Sequence, residues 1–468
     1  MAPPADPRPG RRPRRRILAI LLAALIVGSG GFAVASLGRS AGWSWPGGGV
    51  AAIASPGPAA ASPDPGSPPP TAHVTSPATV PPPSPTTDLP TQRPFPLPDA
   101  ATLSEQRAAA VRIELQASLD SDRRRLGIPG VSATILFGDG TSWTGTSGLA
   151  DVTNRVAVMA DTAFALGSVS KTYTAALIVA LAGDGRIDLG APARTYLPTA
   201  KIDPRITVRM LLDHTSGLDD FFLHPPIDKA LLAHPDATWT AVRSLHYVGR
   251  RYFAPGRGWH YSNTNYLYLG QIAERVTGRT LAVALRQRFF TPLGLESTWY
   301  QAIEPARSSL AHGYRFNGPK PTATPIDLAD GTGVAPFRSV VTAAGGAGSI
   351  AATSGDVARW ARLLYGGTAI GVAQTAAMVD DIATSAGYKP RVPYGLGVQV
   401  FPIDGRLTLG HSGRLLGFRA AVRHIPGSAT TIAVLTNQSR TDPGIIVQHL
   451  LAIVFAPAPP CHTCSRPS

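Results

Sequence analysis

Phe164-Ala165-Leu166-Gly167-Ser168-Val169-Ser170-Lys171-Thr172-Tyr173 runs directly into Thr174-Ala175-Ala176-Leu177-Ile178-Val179-Ala180-Leu181. A turn of small residues delivers Ser168 to the start of a helix that is apolar on nearly every side. A helix without a polar face belongs in the middle of a domain rather than on its surface. Its expected end is Gly183-Asp184-Gly185, where glycine can take the left-handed cap conformation. Ser168 and Lys171 are three apart, so they share a helix face about 4.5 Å of rise from one another. An ordinary serine is a weak nucleophile. A desolvated lysine whose pKa has been drawn toward neutrality can take its proton.

Residue choice elsewhere sharpens this reading. The basic residues are overwhelmingly arginine, and the lysines are Lys171, Lys201, Lys229, Lys320 and Lys389. Arginine does not give up its proton in a protein, so a base at this position has to be lysine.

Outward from that helix, the chain of 468 residues begins with a basic leader, residues 1–16, carrying Arg8, Arg11, Arg12, Arg14, Arg15 and Arg16 against Asp6. An uncharged apolar run follows, residues 17–38, long enough to cross a bilayer as a helix. Its fate is either an uncleaved membrane anchor or a signal peptide cut after small residues such as Ala33-Val34-Ala35. Both place the N-terminus in the cytoplasm and the rest of the chain outside. Residues 39–102 are rich in proline, alanine and serine, as in Ser67-Pro68-Pro69-Pro70, and have too little apolar surface to order themselves. They are expected to form a disordered, semi-rigid linker. The tail, 457–468, holds Cys461 and Cys464 between prolines; the spacing lacks a second ligand pair, so a tail disulfide rather than a metal site is expected. A formal charge of +14 suits retention near anionic membrane or cell-wall polymers, with peptidoglycan a candidate partner. Nucleic acid is a poor partner for an exported chain without a recognisable binding module.

Residues 103–456 are large enough for a substantial core. The spacing predicts a helix over 103–125, a hairpin over 131–145, strands over 397–401, 406–411, 418–425 and 430–435, and a final helix over 443–455, with helices filling the middle. The expected fold is α/β in the α+β sense. An antiparallel sheet is assembled from the N- and C-terminal strands, with helices on both faces and a helical lobe inserted into it.

Two further clusters carry chemistry. In Tyr261-Ser262-Asn263 a phenol and an amide fall on the same side of an extended backbone. Tyrosine can relay a proton beside an ammonium, and asparagine can hold both that ammonium and a substrate amide. Gly410-His411-Ser412-Gly413-Arg414 lies at the end of an expected strand, where glycine lets substrate approach the strand edge. A backbone N–H just beyond it could complete an oxyanion hole with the N–H of Ser168.

In this order, and with Leu211-Leu212-Asp213-His214-Thr215-Ser216-Gly217-Leu218 and Ala344-Gly345-Gly346-Ala347-Gly348-Ser349, the chain resembles the serine β-lactamase-related family. That family comprises class C β-lactamases, secreted DD-carboxypeptidases and related esterases, with a β-lactamase/transpeptidase-like fold. The resemblance implies Ser168 as the acylated nucleophile, Lys171 and Tyr261 sharing the proton work, and Asn263 positioning lysine and substrate. It puts His411-Ser412-Gly413 where the family has Lys-Thr-Gly, with the Arg414 N–H in the oxyanion hole, and leaves His214 a structural role. It implies no metal and no cofactor. Substrates would be peptides, esters or β-lactams. Replacing the lysine by His411 removes a fixed cation, so β-lactamase activity proper ranks behind DD-carboxypeptidase-like and esterase-like activity. Arg414, Arg419 and Arg423 are the candidate replacement anchors for a substrate carboxylate. Two rivals remain: a sensor or non-catalytic penicillin- or wall-binding module, and an α/β-hydrolase. The second lacks the final glycine of its nucleophile elbow at 410–414.

Overall fold

In a computed structural model the described residues are 105–318, 322–380, 382 and 393–457. The leader, the apolar run 17–38, the linker and the cysteines of the tail lie outside them. Among the described residues no helix is long and apolar enough to cross a membrane.

Twelve strands organise the described residues: β1 (Gly130–Leu136), β2 (Ser142–Asp151), β3 (Val156–Ala157), β4 (Ala163–Ala165), β5 (Thr298–Tyr300), β6 (Tyr314–Phe316), β7 (Pro325–Asp327), β8 (Ile350–Thr353), β9 (Gln399–Ile403), β10 (Arg406–Leu415), β11 (Phe418–Ile425) and β12 (Thr430–Thr436). The main sheet has seven strands in the order β3-β2-β1-β12-β11-β10-β9. Every pair in it is antiparallel, and N- and C-terminal strands meet where Val131 faces Thr436. The termini therefore build one sheet, as the alternating pattern predicts. Two strands run longer than expected. β2 continues through Asp151, its Ser/Thr/Gly-rich sequence giving no apolar alternation to follow. β10 continues to Leu415, with Gly413 still paired to Ala420, so His411, Ser412, Gly413 and Arg414 lie within the strand rather than at its end.

Strand β1 shows how period-two alternation sorts the two faces. Val131, Ala133 and Ile135 turn to one side, into a core with Leu115 and Leu119 of α1 (Glu105–Arg125) and Ile446, Val447 and Leu450 of the C-terminal helix. Ser132 and Thr134 turn to the other, where each hydroxyl lies 2.8 Å from the Ser354 Oγ. On that second face lies the larger core, and α2 (Ser170–Gly183) runs through it with Ser170 to Leu181 all buried. Tyr173 of this helix stacks on Trp360 at 4.2 Å between ring centres, and the Trp360 indole N–H donates to the Thr172 hydroxyl at 2.9 Å. The apolar helix of the sequence is central, as a helix with no polar side must be.

A small sheet, β4-β8-β5, aims the chain into the site. Ala165 faces Ala351 across it, and the Leu166 N–H donates to the Ile350 carbonyl at 2.9 Å. Ser168 follows two residues later.

Candidate active site

Ser168 sits in a single 3-10 turn, Gly167–Val169, that opens α2. Two glycines bring this turn against β10. Gly167 has φ +51°, and a Cβ there would lie 2.6 Å from the Arg414 carbonyl oxygen and 3.0 Å from its nitrogen. A Cβ on Gly413 would lie 1.9 Å from the Leu166 carbonyl oxygen. Any side chain at 413 would push the strand off the serine turn. On the side where a side chain would project, the space at 413 is taken up by the protein's own backbone.

Lys171 is 0% exposed, and its three ammonium donors each have a partner. These are Ser168 Oγ at 3.1 Å, Asn263 Oδ1 at 2.7 Å and the Ala347 carbonyl at 2.9 Å. The Tyr261 and Tyr266 rings lie 5.0 and 5.4 Å from the nitrogen. Burial disfavours the charged form and draws the amine down to about 7, while the nearby Asp220 charge works the other way. Asn263 is the first residue of α3 (Asn263–Thr277), Ser262 is its N-cap, and Tyr261 precedes the cap. The amide of Asn263 donates on to Asp220 Oδ2 at 2.8 Å. His214, at φ +66°, is wholly buried, and its Nδ1 accepts from the Ser262 N–H and the Asn265 amide. Its ring centre is 4.4 Å from that of Tyr261, so the two rings pack against each other.

The facing wall is β10. The Nε2 of His411 accepts from the Tyr394 hydroxyl at 2.8 Å, and its Nδ1 donates to the Ser412 carbonyl at 2.6 Å. Burial, with Lys171 nearby, pushes this imidazole down to about 3, so it is neutral at pH 7. Ser412 Oγ accepts from Arg423 Nη2 at 3.0 Å, and both the N–H and the hydroxyl of Ser412 reach Gln399 Oε1. Arg423 also donates to Gln399 and to the Val422 carbonyl, and its guanidinium lies over Phe401 at 4.4 Å. Burial lowers its pKa only to about 10, so the charge persists. Of the three candidate anchors, Arg423 backs Ser412. Arg419 turns to the Ser439 carbonyl and Asp442, and the Arg414 Nε is buried without a hydrogen-bond partner among the described residues.

Ser168, Lys171, Tyr261 and Asn263 thus meet at one point, with His411 across from Tyr261 at 6.3 Å between ring centres. Sequence reasoning missed Asp220, Tyr394 and Gln399. Asp220 stands two residues past the Leu211–Leu218 motif, and neither Tyr394 nor Gln399 carries a pattern of its own. Ala347 falls in a motif that was noticed, but its part is played by a backbone oxygen. Metal-ligating atoms of Asp151, His312 and Asp327 lie within 4.8 Å of one another. There the two imidazole nitrogens turn to different carboxylates, Nδ1 to Asp327 at 2.9 Å and Nε2 to Asp151 at 3.7 Å.

With this geometry in view, the family model described as Beta-lactamase matches residues 114–453. The chain belongs to the beta-lactamase family. Its members here are serine hydrolases, and so is this chain. Penicillin-binding protein 4 of Amycolatopsis lactamdurans is 30% identical over 69% of this chain and 84% of its own. Esterase EstB of Burkholderia gladioli is 30% identical over 49% of this chain and 62% of its own. The D-amino acid amidase of Ochrobactrum anthropi SV3, solved with D-phenylalanine, superposes with a TM-score of 0.64 at 25% identity, covering 74% of this chain and 99% of that one. The expected fold, an antiparallel sheet with helices and a helical lobe, is the fold of this beta-lactamase-family chain.

Proposed function

We propose that the chain is an exported acyl hydrolase working through an acyl-Ser168 intermediate, DD-carboxypeptidase-like in substrate class. The observation that carries this reading is the buried Lys171 amine, 3.1 Å from the Ser168 hydroxyl and drawn down to about 7. Such an amine can accept the serine proton near neutral pH. Ser168 Oγ then bonds to the substrate carbonyl carbon, and the oxyanion rests on the N–H groups of Ser168 and Arg414. The Lys171–Tyr261 pair returns the proton to the departing group, and water releases the acyl group. Asn263 holds the amine and a substrate amide. His411, Ser412 and Gly413 form the wall along which substrate lies, and neither metal nor cofactor has a part.

The persistent Arg423 charge behind Ser412 favours a substrate bearing a carboxylate, such as a D-alanyl peptide from peptidoglycan. The neutral His411 favours a second, esterase-like reading, and puts β-lactamase activity proper behind both. Export rests on the arginine-rich leader and the apolar run 17–38, which would leave the domain outside the membrane, either tethered by that run or released.

The test gives the purified full-length chain an activated ester, a D-Ala-D-Ala peptide and a chromogenic cephalosporin. Turnover of peptide or ester is expected to exceed that of the cephalosporin and to vanish in Ser168→Ala. Turnover that survives in both Ser168→Ala and Lys171→Ala would falsify the mechanism. No turnover of any of the three by the wild type would favour a binding module.

A further inference from the structure

Asp220 is 0% exposed, and among the described residues its carboxylate accepts hydrogen bonds from neutral groups rather than from a cation. It caps the 3-10 turn Phe221–Leu223, its Oδ1 accepting from the Phe222 N–H at 3.1 Å, and its Oδ2 accepts from the Asn263 amide at 2.8 Å. Capping alone needs one oxygen, which asparagine, serine or threonine supplies without burying a charge. A buried carboxylate held only by neutral donors is costly unless a charge elsewhere compensates it. Lys171 is the cation that acts on it, one asparagine away.

The asparagine between them has two ends and one sensible orientation. An ammonium only donates and a carboxylate only accepts, so the Asn263 carbonyl must face Lys171 and its NH₂ must face Asp220. A neutral amide at 220 would offer one acceptor to two converging donors, the Phe222 N–H and the Asn263 NH₂. The Asn263 carbonyl would then be held toward the lysine by the lysine's own hydrogen bond alone.

We propose that Asp220 is a positioning residue for the acyl transfer: through Asn263 it fixes the carbonyl that holds Lys171 and sets the pH at which that amine becomes a base. This rests on the reading of Lys171 as the base for Ser168. Three other groups near Lys171 keep their charge state near neutral pH. His214 is pushed well below its usual range and His411 to about 3, and the Tyr266 phenol is pushed up. Tyr261 presents its ring face. Asp220 itself is raised to about 6 by burial, so it and Lys171 titrate as a pair. Burial pulls the lysine down and the Asp220 charge holds it up. Loss of that charge must move the acid limb of reactivity to lower pH.

The experiment follows the rate at which a fluorophosphonate labels Ser168 in full-length chains from about pH 5 to about pH 9, the span that brackets the pair. In this reaction the Ser168 oxygen bonds to phosphorus, fluoride leaves and Lys171 takes the proton, so no substrate need be known. Wild type should show an acid limb near 7. D220N should move it down by about 1 pH unit and lower the plateau, and D220E, which keeps a carboxylate, should bring it back toward the wild-type position. D220S carries the same expectation as D220N should the latter not fold. Superimposable profiles for wild type and the neutral variant overturn the proposal, as does D220E shifting as far as D220N. A wild type that labels at no pH is a different failure: it removes the reading of Ser168 itself, and this proposal with it.

Discussion

The two walls of the site use charge in opposite ways. On the helical wall, Lys171, Asn263 and Asp220 form a line in which each donor meets an acceptor, and both ends can ionise. On the sheet wall, the group across from Tyr261 is a neutral imidazole, His411, pinned by Tyr394, and the charge stands on Arg423, behind Ser412. The first wall holds a charge close to changing near neutral pH, which proton transfer requires. The second holds a charge that does not change, screened by Ser412 and Gln399, which suits recognition. Lys171 and Asp220 on one wall and His411 and Arg423 on the other are all buried. What differs is whether a buried group can shed its charge, as lysine can and arginine cannot.

That contrast breaks most sharply at Lys171. Lys171→Arg keeps a cation on the helical wall but makes it permanent, converting that wall to the logic of the other. Hydrolysis of an activated ester by Lys171→Arg is expected to fall about 10³–10⁴-fold, as far as in Lys171→Ala. Steady-state rates on the two variants measure this. An arginine variant within about tenfold of wild type would mean that the positive charge, and not the loss of a proton, is what Ser168 needs.

How much of each wall could be read in the sequence follows from the distance over which its contacts form. Ser168 and Lys171 share one helical turn, and Tyr261 and Asn263 are two apart at a helix start, so spacing alone brings each pair together. The sheet was legible from alternation, and with it the strand bearing His411. The partners of that strand were not. Arg423 reaches Ser412 because the β10–β11 register sets it opposite Gly410, and Gln399 faces the same Gly410 from β9. Register is a property of two strands together, and no residue announces it. Asp220 was hidden for another reason: a buried acid at a turn reads like any other N-cap in sequence. The strand end assigned at 411 fell short because Gly413 looks like a terminator, whereas its lack of a side chain lets β10 meet Leu166.

A smaller effect sharpens the sheet wall. Arg423→Gln removes the fixed charge while leaving a polar side chain beside Ser412 and Gln399. For a D-alanyl peptide with a free carboxylate, KM is expected to rise about 10–100-fold, the range for losing a charge-assisted hydrogen bond. Hydrolysis of p-nitrophenyl acetate, which has no carboxylate, should change far less. Equal losses on both substrates would show that Arg423 holds the strands together rather than attracting the substrate.

The smallest effect concerns stability, and it tests whether His411 is neutral as its surroundings demand. Its folded-state pKa, about 3, lies below the ordinary 6.5. Between those values the unfolded chain binds a proton that the folded one refuses. Stability from this group is therefore complete above about pH 6.5 and is lost as pH falls toward 3, at up to about 1.4 kcal/mol per pH unit. His214, lowered by burial in the same sense, adds to the slope. Urea midpoints of the full-length chain between about pH 7 and pH 4 should fall steeply in wild type and less steeply in His411→Gln, which keeps an acceptor for the Tyr394 hydroxyl but cannot titrate. Parallel slopes would mean that His411 takes up its proton in the folded state as readily as in the unfolded one. The sheet wall would then carry a switchable charge of its own, and the division of labour between the two walls would fail.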